Sequence, residues 1–424
     1  MHVWLVTIGE PLPRDGCQER LLRTGILADH LSREGHQVSW WTSAFDHVRK
    51  KQRSAGDERI AIAAGYNLWL LHANRYSRNV SLRRIINHRS IARKFRKLAP
   101  REPRPDVILC SWPTVELCVE AVRLGNIWGV PVVLDIRDMW PDAILDLAPR
   151  VLRPAARIAM RSAYQDARYA ASHATAITGI TDKIVDWGLR FAGRSRSEWD
   201  RAFAMGYQIQ TAASERDEEA LEFWRTRGIS GSKSAFIVCF FGTIGRHFEF
   251  ETVFRAARRL EQTSRGIKFV LCGDGPHLSR WRQSAAACPN IILPGWVDAA
   301  KIRSLMRLSS AGLAPYVSSW DFAISIPNKP VEYLSAGLPV VSSLQGELAE
   351  LLAINECGLT YRNGSADDLV RVLADCYDHP TKLAKMAENA ARLYQSRFVA
   401  ETIYGQMGDY LNQVACRIKQ SHAA

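Results

Sequence analysis

No apolar run in this sequence approaches the roughly 18 residues that a membrane-crossing helix requires, so no span is expected. Its start lacks a basic segment ahead of an apolar one. Met1–Ile8 instead runs straight into strand-like sequence, and no secretory signal is expected. None of the nine cysteines forms a C-x-x-C pair, and the number is odd. Several, such as Cys239 and Cys272, sit inside apolar runs, which points to reduced core residues of a cytoplasmic protein rather than a disulfide scaffold. There is no D-x-D pair in a plausible loop and no His/Cys cluster with ligand spacing, so no metal and no cofactor are expected. Fixed-period repeats and low-complexity segments are absent too.

What is present is an ordinary globular composition: 424 residues, 47% hydrophobic and 23% charged, enough for two or three domains. The net charge is +13, and it is unevenly placed. Between Arg49 and Arg104 there are 16 Lys/Arg against 3 Asp/Glu, while the remainder holds 40 of each sign. One 56-residue stretch therefore carries the whole imbalance, which points to an anionic partner.

Strand, glycine loop, helix and strand follow one another in His2–Ile8, Gly9–Gln18, Arg20–Glu34 and Gln37–Thr42, the βαβ pattern of a parallel sheet. The pattern resumes at Asp106–Ser111, Thr114–Leu124 and Val130–Asp135, then Arg157–Ala171 and Ala174–Thr178. Gly193–Ser230 is polar and irregular and is the expected interdomain region. A second series begins with strand Ala235–Phe241 and ends in a helical tail from Ala366, broken near His379–Pro380 and Phe398. The expected division is 1–205, an interdomain region 206–232, a second domain 233–395, and a C-terminal helix 396–424 returning to the first domain. Two open α/β domains would face a cleft, with ligands beyond the carboxyl ends of the strands.

The loops after strands are therefore the places to look for chemistry. Gly242-Thr243-Ile244-Gly245-Arg246 lets the backbone approach a ligand and supplies a cation for a phosphate; an ordinary βα turn with a surface arginine fits as well. Gly273-Asp274-Gly275-Pro276 either receives a nucleotide or turns the chain. Trp296, before Val297, lies near a base or fills a core or interface position. In the stretch from Asn328 to Gly337, Lys329 falls near a helix start, where a cation is disfavoured unless an anion is present. Glu332 is placed to accept hydrogen bonds from ribose hydroxyls, or merely to complement the dipole of a first turn.

Taken in order, these segments resemble the nucleotide-sugar-binding domain of retaining GT-B glycosyltransferases of family 4. In the first half, Gly35-His36-Gln37-Val38 resembles the family's G-H-x-V. Asp135-Ile136-Arg137-Asp138-Met139-Trp140-Pro141 resembles the D-x-R-D-x-W-P of a subgroup found in O-antigen and capsule clusters. The resemblance covers nearly the whole chain. It implies two Rossmann-like domains with parallel sheets, and metal-independent transfer of a sugar from a nucleoside diphosphate with retention. Arg246 and Lys329 would stabilise the departing phosphate, and Gly16, Gly242, Thr243, Gly273, Asp274, Gly275, Trp296, Val297, Asn328 and Glu332 would bind the donor. Glu332 matches the second glutamate of the family's E-x7-E; the first falls on Ile324, with Asp321 three residues earlier. On the acceptor side stand Asp15, Arg137 and Asp138, each with a structural alternative: a turn aspartate for Asp15, a loop-shaping ion pair for Arg137 and Asp138. A UDP-sugar of the N-acetylhexosamine type is favoured because related cell-surface polysaccharide enzymes often use one.

Ser81–Leu98 reads as an amphipathic helix, with Leu82, Ile85, Ile86, Phe95 and Leu98 on a broad face. Arg83, Arg84, Arg93, Lys94, Arg96 and Lys97 surround that face and suit an anionic membrane surface, or a solvated domain helix. A membrane role would place the protein on the inner face of the cell membrane, with a lipid-linked saccharide as acceptor. Three other readings compete. A nucleic-acid-binding protein explains +13 but finds no helix-turn-helix, RRM or zinc signature. An oxidoreductase would need G-x-G-x-x-G, which Gly242-Thr243-Ile244-Gly245 lacks. A non-catalytic sugar-nucleotide-binding paralogue is motivated by Ile324.

Overall fold

The structure is a computed structural model that describes residues 1–16, 20–209, 214–230, 236–263 and 265–423. Residues 17–18 of the first expected loop, 210–213 and 231–232 of the expected interdomain region and 233–235 of the expected second domain lie outside these. The chain forms two compact units, Met1–Ala204 with Ala400–Ala424, and Met205–Val399.

In the first unit, strands β1 (His2–Val6), β2 (Gln37–Ser43), β3 (Glu58–Ala63), β4 (Tyr66–Leu71), β5 (Val107–Trp112), β6 (Val132–Ile136), β7 (Ala176–Gly179) and β8 (Arg201–Ala202) make one sheet. Their spatial order is β8-β7-β6-β5-β1-β2-β4-β3. All pairings are parallel except β3 with β4. The chain thus fills one side of β1 and then crosses over to lay β5 on the other, so strand order reverses between β1 and β5. The β3–β4 hairpin was not expected. Its Glu-Arg-Ile-Ala-Ile-Ala edge strand leaves every residue exposed or half-exposed and carries little apolar signal.

Helix α1 (Arg23–Arg33) follows β1, and α2 (Leu82–Leu98) and α3 (Val115–Trp128) follow β4 and β5. The Ser81 side chain caps α2 by accepting from the Arg84 N–H. Below α2 lies an aromatic layer in which Trp41 stacks on Trp69 at 5.0 Å. Phe95 meets the edges of Trp4 and Trp41 at 6.2 and 5.2 Å, so the C-terminal half of α2 is bound into the core. The helix Ala400–Ala423 packs on α1; Gly408 stands so near that a Cβ there would lie 3.3 Å from Leu31.

The second unit holds β9 (Phe236–Phe241), β10 (Ile267–Cys272), β11 (Ile291–Gly295), β12 (Ala311–Ala314), β13 (Val340–Ser342) and β14 (Gly358–Thr360). They pair in parallel in the order β11-β10-β9-β12-β13-β14. This is the doubly wound 3-2-1-4-5-6 order, with its reversal between β9 and β12. The region read as irregular contains a helix, Ser214–Arg225, in which Trp224 is buried and donates to the Lys301 carbonyl at 2.9 Å.

Candidate functional site

The carboxyl ends of β9, β10 and β11 bring three glycine loops side by side. The Gly242 N–H donates to the Cys272 carbonyl at 3.0 Å, and the Gly273 N–H to the Gly295 carbonyl at 2.8 Å. The Ile244 N–H donates to the Asp274 carbonyl at 2.8 Å. This packing explains the residue types. Gly273 adopts φ +145°, and a Cβ there would collide with the Gly242 carbonyl. The Asp274 carboxylate accepts from the Gly275 N–H at 2.7 Å, so it shapes its own turn. Val297 is buried, whereas Trp296 is 73% exposed and fills no core position.

Helix α4 (Asn328–Ser335) starts beside this ledge. Lys329, its second residue, extends over Gly242, where any side chain would strike its Nζ. The ammonium lies 5.5 to 5.7 Å from the ring centroids of Phe240, Phe241 and Phe248. No described side chain caps this helix start, where Asn328 is exposed. Because α4 begins at Asn328, Glu332 lies beyond the first turn, which corrects its placement there and removes the dipole explanation. Half-buried, it helps raise the neighbouring Tyr316 and Tyr333 phenols, which burial mainly shifts.

The loop after β9 touches the loop after β12, at the strand-order reversal. The Glu249 N–H donates to the Pro315 carbonyl at 2.7 Å, and the Val317 N–H to the His247 carbonyl at 3.0 Å. Thr243 and Arg246 are exposed. His247, which the sequence did not single out, sits edge-on to Phe322 at 5.9 Å. Burial and Arg246 lower its pKa, while Asp321 raises it. Ile324 ends the short helix Trp320–Ala323. The end of β9 therefore gathers Gly242, Lys329, Arg246 and His247, an arrangement suited to an anionic ligand.

Residues 22–198 match the glycosyl transferase 4-like domain, and residues 235–379 match glycosyl transferases group 1. The fold is also that of solved glycosyltransferase structures. HepE from Anabaena, in complex with UDP, aligns at TM-score 0.67 and 16% identity, covering 97% of this chain and 100% of that one. Sucrose-phosphate synthase from Thermosynechococcus elongatus aligns at 0.73 and 14%, covering 98% and 99%. The chain is a glycosyltransferase of the GT-B fold. WaaG, a glycosyltransferase involved in lipopolysaccharide biosynthesis, aligns at 0.64 and 15%, covering 96% and 99%. No curated protein matches the sequence.

In the first unit of the glycosyltransferase, several of the expected residues have partners within the unit. Asp15 is bound by Arg53 at 2.7 and 2.5 Å and accepts from the Leu12 N–H at 2.8 Å, so it anchors its own loop. Arg137 is half-buried. It bonds Glu10, Thr24 and Asp135, while Asp135 also binds Arg23. A guanidinium so engaged holds the loops after β1 and β6 together, which fits the loop-shaping alternative for Arg137. Gly16 adopts φ +138° with open space around it.

The basic helix divides between core and surface. Arg84 turns inward, its guanidinium 4.4 Å from the Trp140 ring centroid. Lys94 is half-buried and pairs with Asp57 at 2.8 Å, and Arg96 stands 3.8 Å from Glu120. Arg83, Arg93 and Lys97 are exposed. The apolar face divides: Phe95 is buried, whereas Leu82, Ile85 and Ile86 are exposed. Asp138 lines a cavity with His47, Tyr76 and His88, three residues that apolar periodicity does not reveal. Among the described residues no helix is long and apolar enough to cross a membrane.

Proposed function

We propose that this glycosyltransferase moves a sugar, of the N-acetylhexosamine type, from a UDP-sugar to a lipid-linked saccharide with retention at the anomeric carbon. It would act in cell-surface polysaccharide synthesis, at the inner face of the cell membrane. The observation that carries this reading is Lys329, held over Gly242 at the strand-order reversal of the second unit. The HepE structures in complex with UDP and with UDP-glucose support a uridine diphosphate donor. WaaG's part in lipopolysaccharide biosynthesis supports the pathway class.

The chemistry needs charge stabilisation. As the bond from the anomeric carbon to the β-phosphate oxygen breaks, negative charge grows on the phosphate. Lys329, Arg246 and the N–H groups at the start of α4 are suited to hold it, so no bound metal is required. The acceptor oxygen bonds to the same face of the anomeric carbon, and its proton passes to the departing phosphate. Glu332 holds the ribose, with Thr243, Asp274, Trp296 and Asn328 around the donor. The exposed Leu82, Ile85 and Ile86, with the Arg83 cation beside them, support contact with the membrane.

Incubation with a panel of nucleotide sugars and a polyprenyl-diphosphate-linked saccharide, in EDTA, tests the reading. An α-linked product from an α-linked UDP-sugar supports it. UDP binding without turnover of any donor would instead favour a non-catalytic sugar-nucleotide-binding protein, the reading that Ile324 motivates.

A further inference from the structure

The first unit has its own strand-order reversal, between β1 and β5, and a cavity of about 150 Å³ opens there. Its wall includes Gly9 after β1, Ser43 at the end of β2, Thr114 after β5 and Asp138 after β6. The Thr7 and Ser111 hydroxyls bridge the two central strands at 2.7 Å. Ligands of open α/β sheets settle at such reversals, so the cavity's position and its lining point the same way.

The lining is rich in groups that bear or accept positive charge. Arg84 enters from α2 and lies against Trp140. It donates to the Asn79 carbonyl at 2.8 Å and to His88 Nε2 at 3.3 Å, both uncharged acceptors. A ring nitrogen that accepts carries no proton, so His88 is neutral, with its Nδ1–H 3.9 Å from Glu116. Burial and Arg84 push His88 down to about 3. His47 stands 2.6 Å from the Tyr76 hydroxyl and is pushed down to about 4 by burial, Arg84 and Lys50, against Asp46. Lys50 stands outside the lining, 4.8 Å from the Tyr76 ring centroid, and donates to Asn79 Oδ1 at 2.5 Å; burial and Arg84 lower its pKa, against Asp46. An anion beside Arg84 would relieve this mutual repulsion. Asp138 also lines the cavity and, with Glu116, favours the charged form of Arg84 against burial.

We propose that this cavity is a phosphate site for the acceptor, in which Arg84 holds a phosphate group, His47 completes its shell and the neighbouring Lys50 adds positive charge. The assignment rests on reading the first unit as the acceptor domain. A lipid-linked diphosphate and a soluble sugar phosphate share this chemistry. The full chain is first saturated with UDP, so that the donor loops are occupied, and then titrated calorimetrically with inorganic pyrophosphate, farnesyl diphosphate and farnesol. Both diphosphates are expected to bind and farnesol is not. Tighter binding of farnesyl diphosphate supports the site with a lipid-linked source; equal affinity supports it with a soluble one. Arg84→Gln should weaken binding at least tenfold and Lys50→Asn several-fold, asparagine tolerating the φ of 57° found at Lys50. Should Arg84→Gln fail to fold, Lys50→Asn carries the comparison. Absence of diphosphate binding to the UDP-loaded chain, or undiminished binding in the folded variants, would overturn the proposal. Failure of UDP itself to bind would instead overturn the donor reading, and Arg84-dependent pyrophosphate binding would stand apart from it.

Discussion

Arg23 and Asp135 meet through two hydrogen bonds of 2.9 Å, with both side chains fully buried. Arg137 takes the same carboxylate at 2.9 Å and reaches Glu10, which in turn accepts from the Thr24 N–H and hydroxyl. This network fastens the start of α1 to the loops after β1 and β6. Breaking a buried pair by removing one charge leaves the other unpaired, at about 3–5 kcal/mol. Asp135→Asn is expected to lower stability by that amount in urea titrations at pH 7. The two arginines hold the Asp135 carboxyl well below its ordinary 3.8 against burial, the largest single influence. Its stabilisation is therefore complete above about pH 4 and lost as pH falls further toward the native value. The variant should lack that part of the acid dependence.

His88 gives the opposite kind of test, because it is buried neutral. Its native pKa is near 3, against 6.5 in the unfolded chain. Below pH 6.5 the unfolded chain takes up a proton that the native state refuses. Stability then falls with pH between 6.5 and about 3, at up to about 1.4 kcal/mol per unit. His47 adds a smaller share from its more exposed position. His88→Gln retains an acceptor for Arg84 and should flatten the slope between pH 6.5 and 4.5. A slope equal to that of the parent chain would contradict the neutral assignment.

Much of the second unit was legible because its chemistry is local. Gly242, Gly273 and Lys329 follow strands or open a helix, and their spacing along the chain matches their places on the ledge. Residues whose roles depend on distant partners were less legible. The burial of Phe95 is set by Trp4 and Trp41. The inward turn of Arg84 depends on Trp140, 56 positions away. The +13 misled in the same way. Arg53 is taken up by Asp15 and Asp46, Lys94 by Asp57, and Arg59 lies near Glu102, so the basic stretch is not one exposed face. Glycine spacing at Gly405 and Gly408 held the docking of the last helix on α1, but no motif flags it.

At the donor loops, charge and backbone access can be separated. Lys329→Ala keeps the fold and removes the cation, and should lower kcat by about 10²–10³. Gly273→Ala places a Cβ against the Gly242 carbonyl at a φ that alanine resists. It should cost stability as well as UDP affinity, with a lowered melting temperature. Equal melting temperatures for Gly273→Ala and the parent would show that the ledge is not as tight as described.

Glu332 should act on the nucleoside and not on the phosphates. Hydrogen bonds to a charged acceptor contribute about 1.5–3 kcal/mol, or about 10- to 100-fold in affinity. Glu332→Gln is expected to weaken UDP by that factor while leaving pyrophosphate at the donor loops unaffected, by calorimetry. Equal weakening of both would mean that Glu332 acts by holding Lys329 rather than the ribose.

Membrane contact should depend on a different part of α2 from the one its charge density indicates. The C-terminal half is held by Phe95 and by ion pairing at Lys94, whereas Leu82, Ile85 and Ile86 face solvent. A second exposed segment, with Val151, Leu152 and Ile158 beside Arg150, Arg153 and Arg157, offers the same mixture. Apolar insertion contributes about 0.8 kcal/mol per buried CH₂, and each basic residue near an anionic surface about 1 kcal/mol. Replacing Leu82, Ile85 and Ile86 together by serine should therefore reduce recovery with anionic liposomes more than charge reversal at Arg93 and Lys97. The same changes at Val151, Leu152 and Ile158 separate the contribution of the second segment. Flotation with anionic and with neutral lipid measures each. Equal recovery of the parent chain on both lipids, or no loss in either apolar triple variant, would remove the membrane from the functional reading and leave the transferase chemistry untouched.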